Sequence, residues 1–316
     1  MKKYLLIVLT FVLMLSACGR RSGEKNADKS FPFVPVPSLL TDPQETEGYI
    51  IDHFWDRFFD PERKYSRDST TIGGVDRAAF LKAFEEYASN LRFVEVPKAL
   101  AAQTRLMEQA EATEKRDTLD NVWDNICELC NSFFYDPNSP LRNEEFYIPV
   151  LEKYLETPYR SEEMKMAARY QLPLCRLNRL DTPAADFEYA LPNGKRGRLY
   201  DLEADYILLF FSNPGCDACK DIVDFLKRCP ALPEFIKQGN IVVLNVYPDA
   251  DLEEWKAYRS NYPEEWINAY DPNLVLHSNT IYSLRAIPSV YVLDNAKRVI
   301  MKDAPIQDAA MGLGIY

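Results

Sequence analysis

The chain contains little histidine and no excess of positive charge. Only His53 and His277 occur among its 316 residues, which argues against histidine-rich metal sites and against triads that need several imidazoles. With 37 Lys and Arg against 48 Asp and Glu, the formal net charge is −11, so a nucleic-acid backbone is not expected as the main partner. We expect no metal and no cofactor.

The remaining composition is that of a globular protein. Hydrophobic residues make up 47% and charged residues 27%, with 11 Gly and 21 Pro, a mixture that is neither disordered nor fibrous. The length accommodates about two domains. The seven cysteines are then the residues with the most specific chemistry.

The N-terminus has the pattern of a secretory signal. Lys2 and Lys3 precede an apolar run of about 14 residues, shorter than the ~20 of a membrane-spanning helix, which is the alternative reading. The run ends in Leu-Ser-Ala-Cys at positions 15–18, which resembles the lipobox of bacterial lipoproteins. That resemblance implies loss of residues 1–17 and acylation of Cys18, with the lipid bilayer as a partner. We expect a cell-envelope protein that faces the periplasm, with outer-membrane or surface placement left open.

The rest of the chain divides into three regions. Four prolines between positions 32 and 43 favour an extended, semi-rigid tether over residues 18–47. Apolar side chains at helical spacing predict an all-helical domain of about six helices over residues 48–180. Residues 181–316 alternate short β-rich runs with helical ones. The predicted fold class is therefore α + α/β, a helical domain followed by a mixed sheet flanked by helices.

The pattern in residues 181–316 also predicts individual elements. Pro192-Asn193-Gly194 marks a hairpin turn, and two continuous apolar runs are suited to strands buried on both faces. The predicted elements are strands 185–191, 195–199 and 206–211, helix 217–229, strand 241–246, helix 252–259, and strands 289–293 and 298–301.

Cys216-Asp217-Ala218-Cys219 follows a buried strand and a Pro214-Gly215 turn. Such a turn delivers the first cysteine to the N-terminus of a helix, where free N–H groups and the helix dipole stabilise a thiolate. A thiolate is the species that attacks a disulfide, and Cys219 lies one helical turn away, close enough to form an intramolecular disulfide. We interpret this CxxC as a redox pair; the alternative is a static disulfide or two buried thiols.

At these residues the sequence resembles a known family. Residues from about 183 to 316 resemble a thioredoxin-fold domain of the TlpA type, found in envelope thiol-disulfide oxidoreductases. The shared features are Ala-Asp-Phe at 185–187, YILLFFSNPGCDAC at 206–219 and AIPSVYVLD at 286–294. The resemblance implies a cis Pro288 that faces the cysteines and a substrate strand held by the backbone of Ile287; an ordinary trans proline is the alternative. It extends to lipoproteins of Bacteroidota-like bacteria in which an uncharacterised helical domain precedes the thioredoxin-like one.

The sequence departs from that family beside the cysteines. Gly215 stands where a tryptophan is usual, and no proline separates Cys216 from Cys219. Asp217 should raise the pKa of the Cys216 thiol, and Lys220 should partly offset this effect. A less stabilised thiolate favours the disulfide form, so we expect a reducing pair.

The other cysteines are read differently. Cys127-Glu128-Leu129-Cys130 lies inside a helical stripe without a preceding strand or turn, which favours a core position, as thiols or a disulfide. A relay that passes electrons to Cys216 is the alternative. Cys175 and Cys229 look like buried single residues.

Two functions from different classes fit the sequence. The first is a membrane-anchored thiol-disulfide oxidoreductase that acts on exported proteins and, if reducing, needs a membrane-side electron donor. The second is a non-catalytic lipoprotein whose helical domain recruits a partner and whose thioredoxin-like domain is a scaffold. A thiol peroxidase fits less well, because Asn213 stands where that family's active site has Thr or Ser.

Overall fold

A computed structural model describes residues 29–65, 68–278 and 280–316. The proposed signal and Cys18 lie outside these residues. The described chain consists of a helical region followed by a mixed seven-stranded sheet with flanking helices, a thioredoxin-like arrangement, so the predicted fold class is confirmed. None of the helices in these ranges is both long and apolar enough to cross a membrane.

The helical region contains six α-helices, as the sequence predicts, but it is not wholly helical. A short hairpin of two-residue strands precedes the second helix, and a single π-helical turn, Asn131–Tyr135, continues the fourth. The elements are α1 (Pro43–His53), β1 (Thr71–Ile72), β2 (Val75–Asp76), α2 (Arg77–Asn90), α3 (Val96–Arg116), α4 (Val122–Cys130), α5 (Glu144–Glu156) and α6 (Met166–Cys175).

Aromatic side chains form much of the core of this region. Trp55, which follows α1, contacts Phe80, Phe84 and Tyr87 on one face of α2, with ring centroids 5.3 to 6.1 Å apart. The spacing of these α2 residues places them on one side of a helix of 3.6 residues per turn. The Asp76 side chain accepts a hydrogen bond from the Ala78 N–H and so caps the same helix.

The region predicted as a tether is partly packed. Phe31 is buried and stacks on Phe58, with centroids 5.7 Å apart, and the backbone oxygen of Lys29 accepts a hydrogen bond from the Asp76 N–H. Helix α1 begins at Pro43, with Asp42 as its N-cap. The chain is therefore attached to the domain just before the first proline, because the apolar Phe31 side chain is more stable buried than exposed.

The sheet follows in the second half of the chain. Its strands are β3 (Glu188–Ala190), β4 (Arg196–Arg198), β5 (Tyr206–Phe211), β6 (Ile241–Tyr247), β7 (Ile267–Tyr270), β8 (Ser289–Asp294) and β9 (Val299–Met301). The strand order is β4-β3-β7-β6-β5-β8-β9. The helices are α7 (Asp217–Lys227), α8 (Leu232–Gln238), α9 (Leu252–Tyr258), α10 (Val275–Ser278) and α11 (Ile306–Gly312).

The central position of β5 brings the candidate site together. β5 pairs parallel with β6 and antiparallel with β8, and Phe211 at its end lies opposite Ser289 at the start of β8. The turn after β5 and the peptide before β8 therefore meet at one edge of the sheet. Because the inner strands are buried on both faces, this edge is held in place by two apolar cores, one on each side of the sheet.

Each strand predicted in this half is found, with shorter ends for β3 and β4. β7, α8 and α10 were not predicted. The predicted helix 217–229 ends at Lys227, and the C-terminal segment forms α11.

Candidate active site

The turn after β5 positions the first cysteine. Asn213, Pro214 and Gly215 connect Phe211 to α7. Gly215 has a φ of +70°, a left-handed conformation that glycine adopts without the strain a Cβ atom brings. A Cβ atom built at this position would meet no atom within 4 Å. The backbone conformation, and not the space around it, therefore favours glycine here.

Cys216 is the N-cap residue of α7, as the sequence predicts. Its Sγ atom accepts a hydrogen bond from the backbone N–H of Cys219 at 3.1 Å. The unpaired N–H groups and the positive end of the helix dipole favour negative charge at this position. When the pair is reduced, the Cys216 sulfur therefore lies where a thiolate is stabilised.

Cys216 and Cys219 form a disulfide, with their Cα atoms 5.2 Å apart. The two sulfurs differ in their access to solvent. Cys216 is half-buried, whereas Cys219 is 2% exposed and belongs to the core cluster that also contains Phe210 and Val223. An approaching disulfide or thiol meets Cys216 first.

The peptide bond between Ile287 and Pro288 is cis, which confirms the expectation from the resemblance. The carbonyl oxygen of Ile287 lies 3.8 Å from the Cys216 Sγ atom. Both residues are half-buried, so the backbone that precedes β8 is accessible beside the disulfide. The predicted substrate-binding residues thus stand next to the predicted redox pair.

The two predicted tuning residues occupy the first turn of α7 and are exposed. Asp217 directly follows the N-cap cysteine. The Lys220 ammonium lies 2.8 Å from the Asp224 carboxylate, one turn further along, and this hydrogen bond raises the pKa of Lys220. Because the positive charge of Lys220 is paired with Asp224, it offsets the effect of Asp217 on Cys216 less than the sequence predicts.

A buried group of neutral polar side chains lies at the end of β5. The Ser212 hydroxyl donates to Asn245 Oδ1 at 2.6 Å and lies 3.0 Å from the Tyr262 hydroxyl. Burial raises the pKa of Tyr262, so its hydroxyl stays protonated at neutral pH. The sequence analysis missed this group. Its one local signal is an asparagine inside the apolar run of β6.

A second polar group borders the turn on its outer side. Asn213 donates to Asp249 Oδ2 at 2.6 Å, and His277 Nε2 lies 2.9 Å from the other oxygen of the same carboxylate. Asp249 therefore connects the turn after β5 to α10. The His277 side chain is half-exposed.

The loop before Pro288 is held by the helical region. The Arg285 guanidinium donates to Glu144 Oε1 at 3.0 Å and to the backbone oxygen of Tyr135, and it lies 4.0 Å from the centre of the Tyr135 ring. The Glu144 carboxylate also pairs with Lys302 at 2.6 Å, and its side chain is 4% exposed. These contacts join residues about 150 positions apart, and no local pattern in the sequence predicts them.

The second CxxC occupies the core of the helical region, as predicted. Cys130 is fully buried and Cys127 is half-buried, both as free thiols on α4. Burial raises the pKa of each thiol well above its usual range. A relay that brings these sulfurs to Cys216 would require the core to open.

Cys175 and Cys229 are free and buried. Cys175 ends α6 in the helical core, and burial raises its pKa to about 12. Cys229 lies after α7 in the sheet domain, where burial also raises its pKa. The two residues thus belong to different cores and do not form a disulfide with each other.

Comparisons with known proteins agree with this architecture. Residues 15–178 match a family model described as a domain of unknown function, DUF5106. A thioredoxin-like protein from Bacteroides caccae, known from a crystal structure, is 34% identical. The match covers 92% of this chain and 100% of that protein, with a TM-score of 0.78.

The chain is a thioredoxin-like member of the DUF5106 family. The helical region that the sequence left uncharacterised is thus the DUF5106 domain, and the redox pair lies in the thioredoxin-like domain that follows it. Among proteins with a curated function, none matches this chain.

Other similar structures cover the thioredoxin-like domain alone. The C-terminal domain of an uncharacterised protein from Bacteroides fragilis is 44% identical over 43% of this chain and 98% of that one, with a TM-score of 0.42. The thioredoxin domain of a thiol-disulfide oxidoreductase from Bacteroides vulgatus is 16% identical over 44% and 99%, with a TM-score of 0.37.

Proposed function

We propose that this protein is a membrane-anchored thiol-disulfide oxidoreductase that exchanges dithiol and disulfide with exported proteins, in the reducing direction. The observation that carries the proposal is the asymmetry of the pair: a half-buried Cys216 at a helix N-terminus beside cis Pro288, with Cys219 buried behind it. A purely structural disulfide needs neither the accessible sulfur nor the neighbouring free backbone.

The exchange proceeds in two displacements. The Cys216 thiolate attacks one sulfur of a substrate disulfide, which forms a mixed disulfide and releases the other substrate sulfur as a thiolate that takes up a proton. The Cys219 thiolate, its proton released to solvent, then attacks the Cys216 sulfur and expels the second substrate thiolate. Two electrons pass to the substrate, and the enzyme is left with the Cys216–Cys219 disulfide. A dithiol donor on the membrane side must then reduce the enzyme for another cycle.

The cis-proline loop supplies the substrate contact. An extended substrate strand can pair with the backbone of Ile287, since strand addition to an exposed edge needs unpaired N–H and C=O groups and no particular side chain. Such pairing would place the substrate sulfur next to Cys216, whose Sγ lies 3.8 Å from the Ile287 oxygen.

The charges on α7 support the proposed direction. Asp217 stands beside Cys216, and the ammonium of Lys220 is paired with Asp224. The thiolate therefore receives little help beyond the helix N-terminus, which favours the disulfide form of the enzyme and makes the dithiol a better reductant.

The N-terminal sequence supports the proposed location. The lipobox resemblance at Cys18 would tether the protein to a membrane, and the envelope is a compartment in which thiols do not stay reduced by default. A lipid anchor would also keep the redox pair near a donor embedded in the same membrane.

The first test replaces the resolving cysteine. In Cys219→Ala, the mixed disulfide cannot be released, so Cys216 should remain linked to substrate proteins or to a model disulfide peptide. The linked species is measured by non-reducing gel electrophoresis and peptide mass. As controls, Cys216→Ala should trap no substrate, and Cys229→Ala should turn over substrate at the wild-type rate. If Cys219→Ala traps nothing from a disulfide peptide, the pair is inert, and a binding role of the DUF5106 domain replaces the proposal.

A glutathione titration tests the direction. A Cys216–Cys219 potential of about −250 mV or lower supports a reductase, whereas a potential of about −120 to −180 mV assigns an oxidant or isomerase instead. Alkylation and mass analysis of each cysteine identify which pair exchanges.

A further inference from the structure

A groove leads from the redox pair to the DUF5106 domain. Beside the disulfide lies a cavity of about 250 Å³ whose walls are Ala218 and Ile222 of α7, Pro288 and Val290 around the start of β8, and Ile306 of α11. Arg142, from the loop before α5 of the DUF5106 domain, also lines this cavity. Both domains therefore contribute walls to the cavity beside the cysteine pair.

The groove continues between the two domains. A second cavity of about 230 Å³ shares Arg142, Ala304 and Pro305 with the first, so the two adjoin. Its far wall includes Leu141 and Phe146 from the DUF5106 domain. Together the cavities form one path that starts at Pro288 and runs along the domain interface.

Arg142 lines both cavities, and its guanidinium has N–H donors that no protein acceptor uses among the described residues. Its Nε donates to Asp303 Oδ2 at 3.0 Å, and its side chain is 20% exposed. Within the described ranges, its two terminal nitrogens have no protein partner. A guanidinium carries five N–H donors, so four point to the groove or to solvent without a fixed acceptor.

The loop that carries Arg142 is fixed. Ser139 Oγ donates to the Phe133 oxygen at 2.6 Å, and the Asn143 N–H donates to the Phe134 oxygen at 2.9 Å. The guanidinium is thus held in place before a substrate arrives, which lowers the entropy lost on binding.

The charge of the groove favours a neutral occupant. Glu144 is paired with Arg285 and Lys302, and Arg142 with Asp303. Among the described lining residues without an ion-pair partner, Asp221 and Asp308 are acids and Arg92 is a base, so a charged ligand side chain of either sign meets a like charge along the groove. The apolar walls, and donors that can reach main-chain carbonyl oxygens, suit an extended peptide with apolar side chains.

We infer that this groove binds the neutral, apolar stretch of substrate polypeptide next to its cysteine, and that Arg142 donates hydrogen bonds to the backbone of that stretch. The DUF5106 domain is then part of the substrate-binding site and selects among exported proteins. This inference rests on the proposed function.

The test compares peptide and small-molecule substrates. The chain without residues 1–18 is reduced and mixed in a stopped-flow instrument with a fluorescence-quenched peptide, two seven-residue copies joined through a central cysteine, with Leu on both sides of it. The same protein is mixed with hydroxyethyl disulfide, which has no peptide backbone to accept hydrogen bonds from Arg142. The measured quantity is the ratio of the two second-order rate constants.

In Arg142→Gln this ratio should fall about tenfold, the size expected for one or two lost hydrogen bonds from a charged donor. Arg142→Lys keeps the charge but not the forked donors and should fall in between. Arg176→Gln removes an exposed arginine of the same domain and should keep the wild-type ratio. Asp303→Asn removes the charge beside Arg142 but keeps an oxygen that can accept from its Nε, so it should lower the ratio less than Arg142→Gln does. Replacing the Leu residues of the peptide with Glu or Lys should lower the wild-type rate.

Other outcomes would overturn the inference. An unchanged ratio in Arg142→Gln removes Arg142 from the site, an equal loss in Asp303→Asn assigns the effect to domain packing, and faster exchange with the Glu or Lys peptide refutes the neutral groove. If the wild-type protein reduces neither substrate, the proposed function itself fails, a result distinct from all of these.

Discussion

At the scale of single residues, environment divides the cysteines into two kinds of sulfur. Cys216 lies at a helix N-terminus with access to solvent, whereas Cys130 is enclosed by the aromatic core of the DUF5106 domain. Burial raises the pKa of the Cys130 thiol well above its usual range, because a thiolate there would lose its hydration. The same chemical group is thus accessible at a helix N-terminus in one place and enclosed in an apolar core in the other.

This difference predicts a pH dependence of stability. From about pH 9 upward, the unfolded chain releases a proton from Cys130 that the folded chain keeps, so each such thiol costs about 1.4 kcal/mol of stability per pH unit. Below about pH 8 the thiol is protonated in both states and the contribution is complete. In Cys130→Ala, the fall in the free energy of unfolding between about pH 9.5 and 11 should be shallower by about that amount.

Urea unfolding at a series of pH values measures this slope. Val122→Ala, in the same helix and equally buried, is the control, because it leaves a cavity without removing a titrating group. Equal slopes for Cys130→Ala and the wild type would contradict the prediction.

At the scale of elements, the connection between β5 and α7 depends on one backbone conformation. An alanine at Gly215 would keep the open space around it but would have to adopt a φ of +70°. We expect Gly215→Ala to lower the free energy of unfolding by about 1–2 kcal/mol and to slow exchange at Cys216, because relief of the strain moves the next residue.

Gly194, in the hairpin between β3 and β4, is the matched control for this variant. It has a φ of +82° and is equally open, so Gly194→Ala should cost similar stability. Denaturation measures the stability, and the rate of mixed-disulfide formation measures the exchange. Equal exchange rates in the two variants would show that the turn does not position Cys216.

The elements also show what a sequence can and cannot predict. Strands β5, β6 and β8 were predicted because burial on both faces demands unbroken apolar runs, and Cys216 was placed because a strand, a turn and a helix follow one another locally. β7 was missed because its four residues, Ile-Asn-Ala-Tyr, are short and half-buried. Arg142 and Arg285 were missed because their partners are distant in sequence, and pairing of that kind leaves no periodic signal.

At the scale of the whole molecule, a buried carboxylate joins the two domains. Glu144 of the DUF5106 domain forms ion pairs with both Arg285 and Lys302 of the thioredoxin-like domain. Removing its charge leaves two largely buried cations at the interface without their counter-charge. Because breaking a buried ion pair from one side costs about 3–5 kcal/mol, Glu144→Gln should destabilise the protein by about 3 kcal/mol.

The four tryptophans report on the two domains in this experiment. Trp55 and Trp123 lie in the DUF5106 domain, and Trp255 and Trp266 lie in the thioredoxin-like domain. We expect a single unfolding transition in the wild type and two in Glu144→Gln, resolved by single-tryptophan variants. Glu152→Gln breaks an exposed pair with Arg176 and should change stability by less than about 1 kcal/mol. A single unshifted transition in Glu144→Gln would refute the coupling.

The packing of Phe31 limits how far the domain could lie from a lipid attached at Cys18. If Cys18 carries the lipid, as we propose, Phe31 lies thirteen positions further along the chain, with its side chain fixed in the domain core. At about 3.6 Å per residue, this segment could span at most about 47 Å when fully extended. The domain would then be confined to a thin layer above the bilayer. A substrate protein elsewhere in the compartment would have to diffuse into that layer.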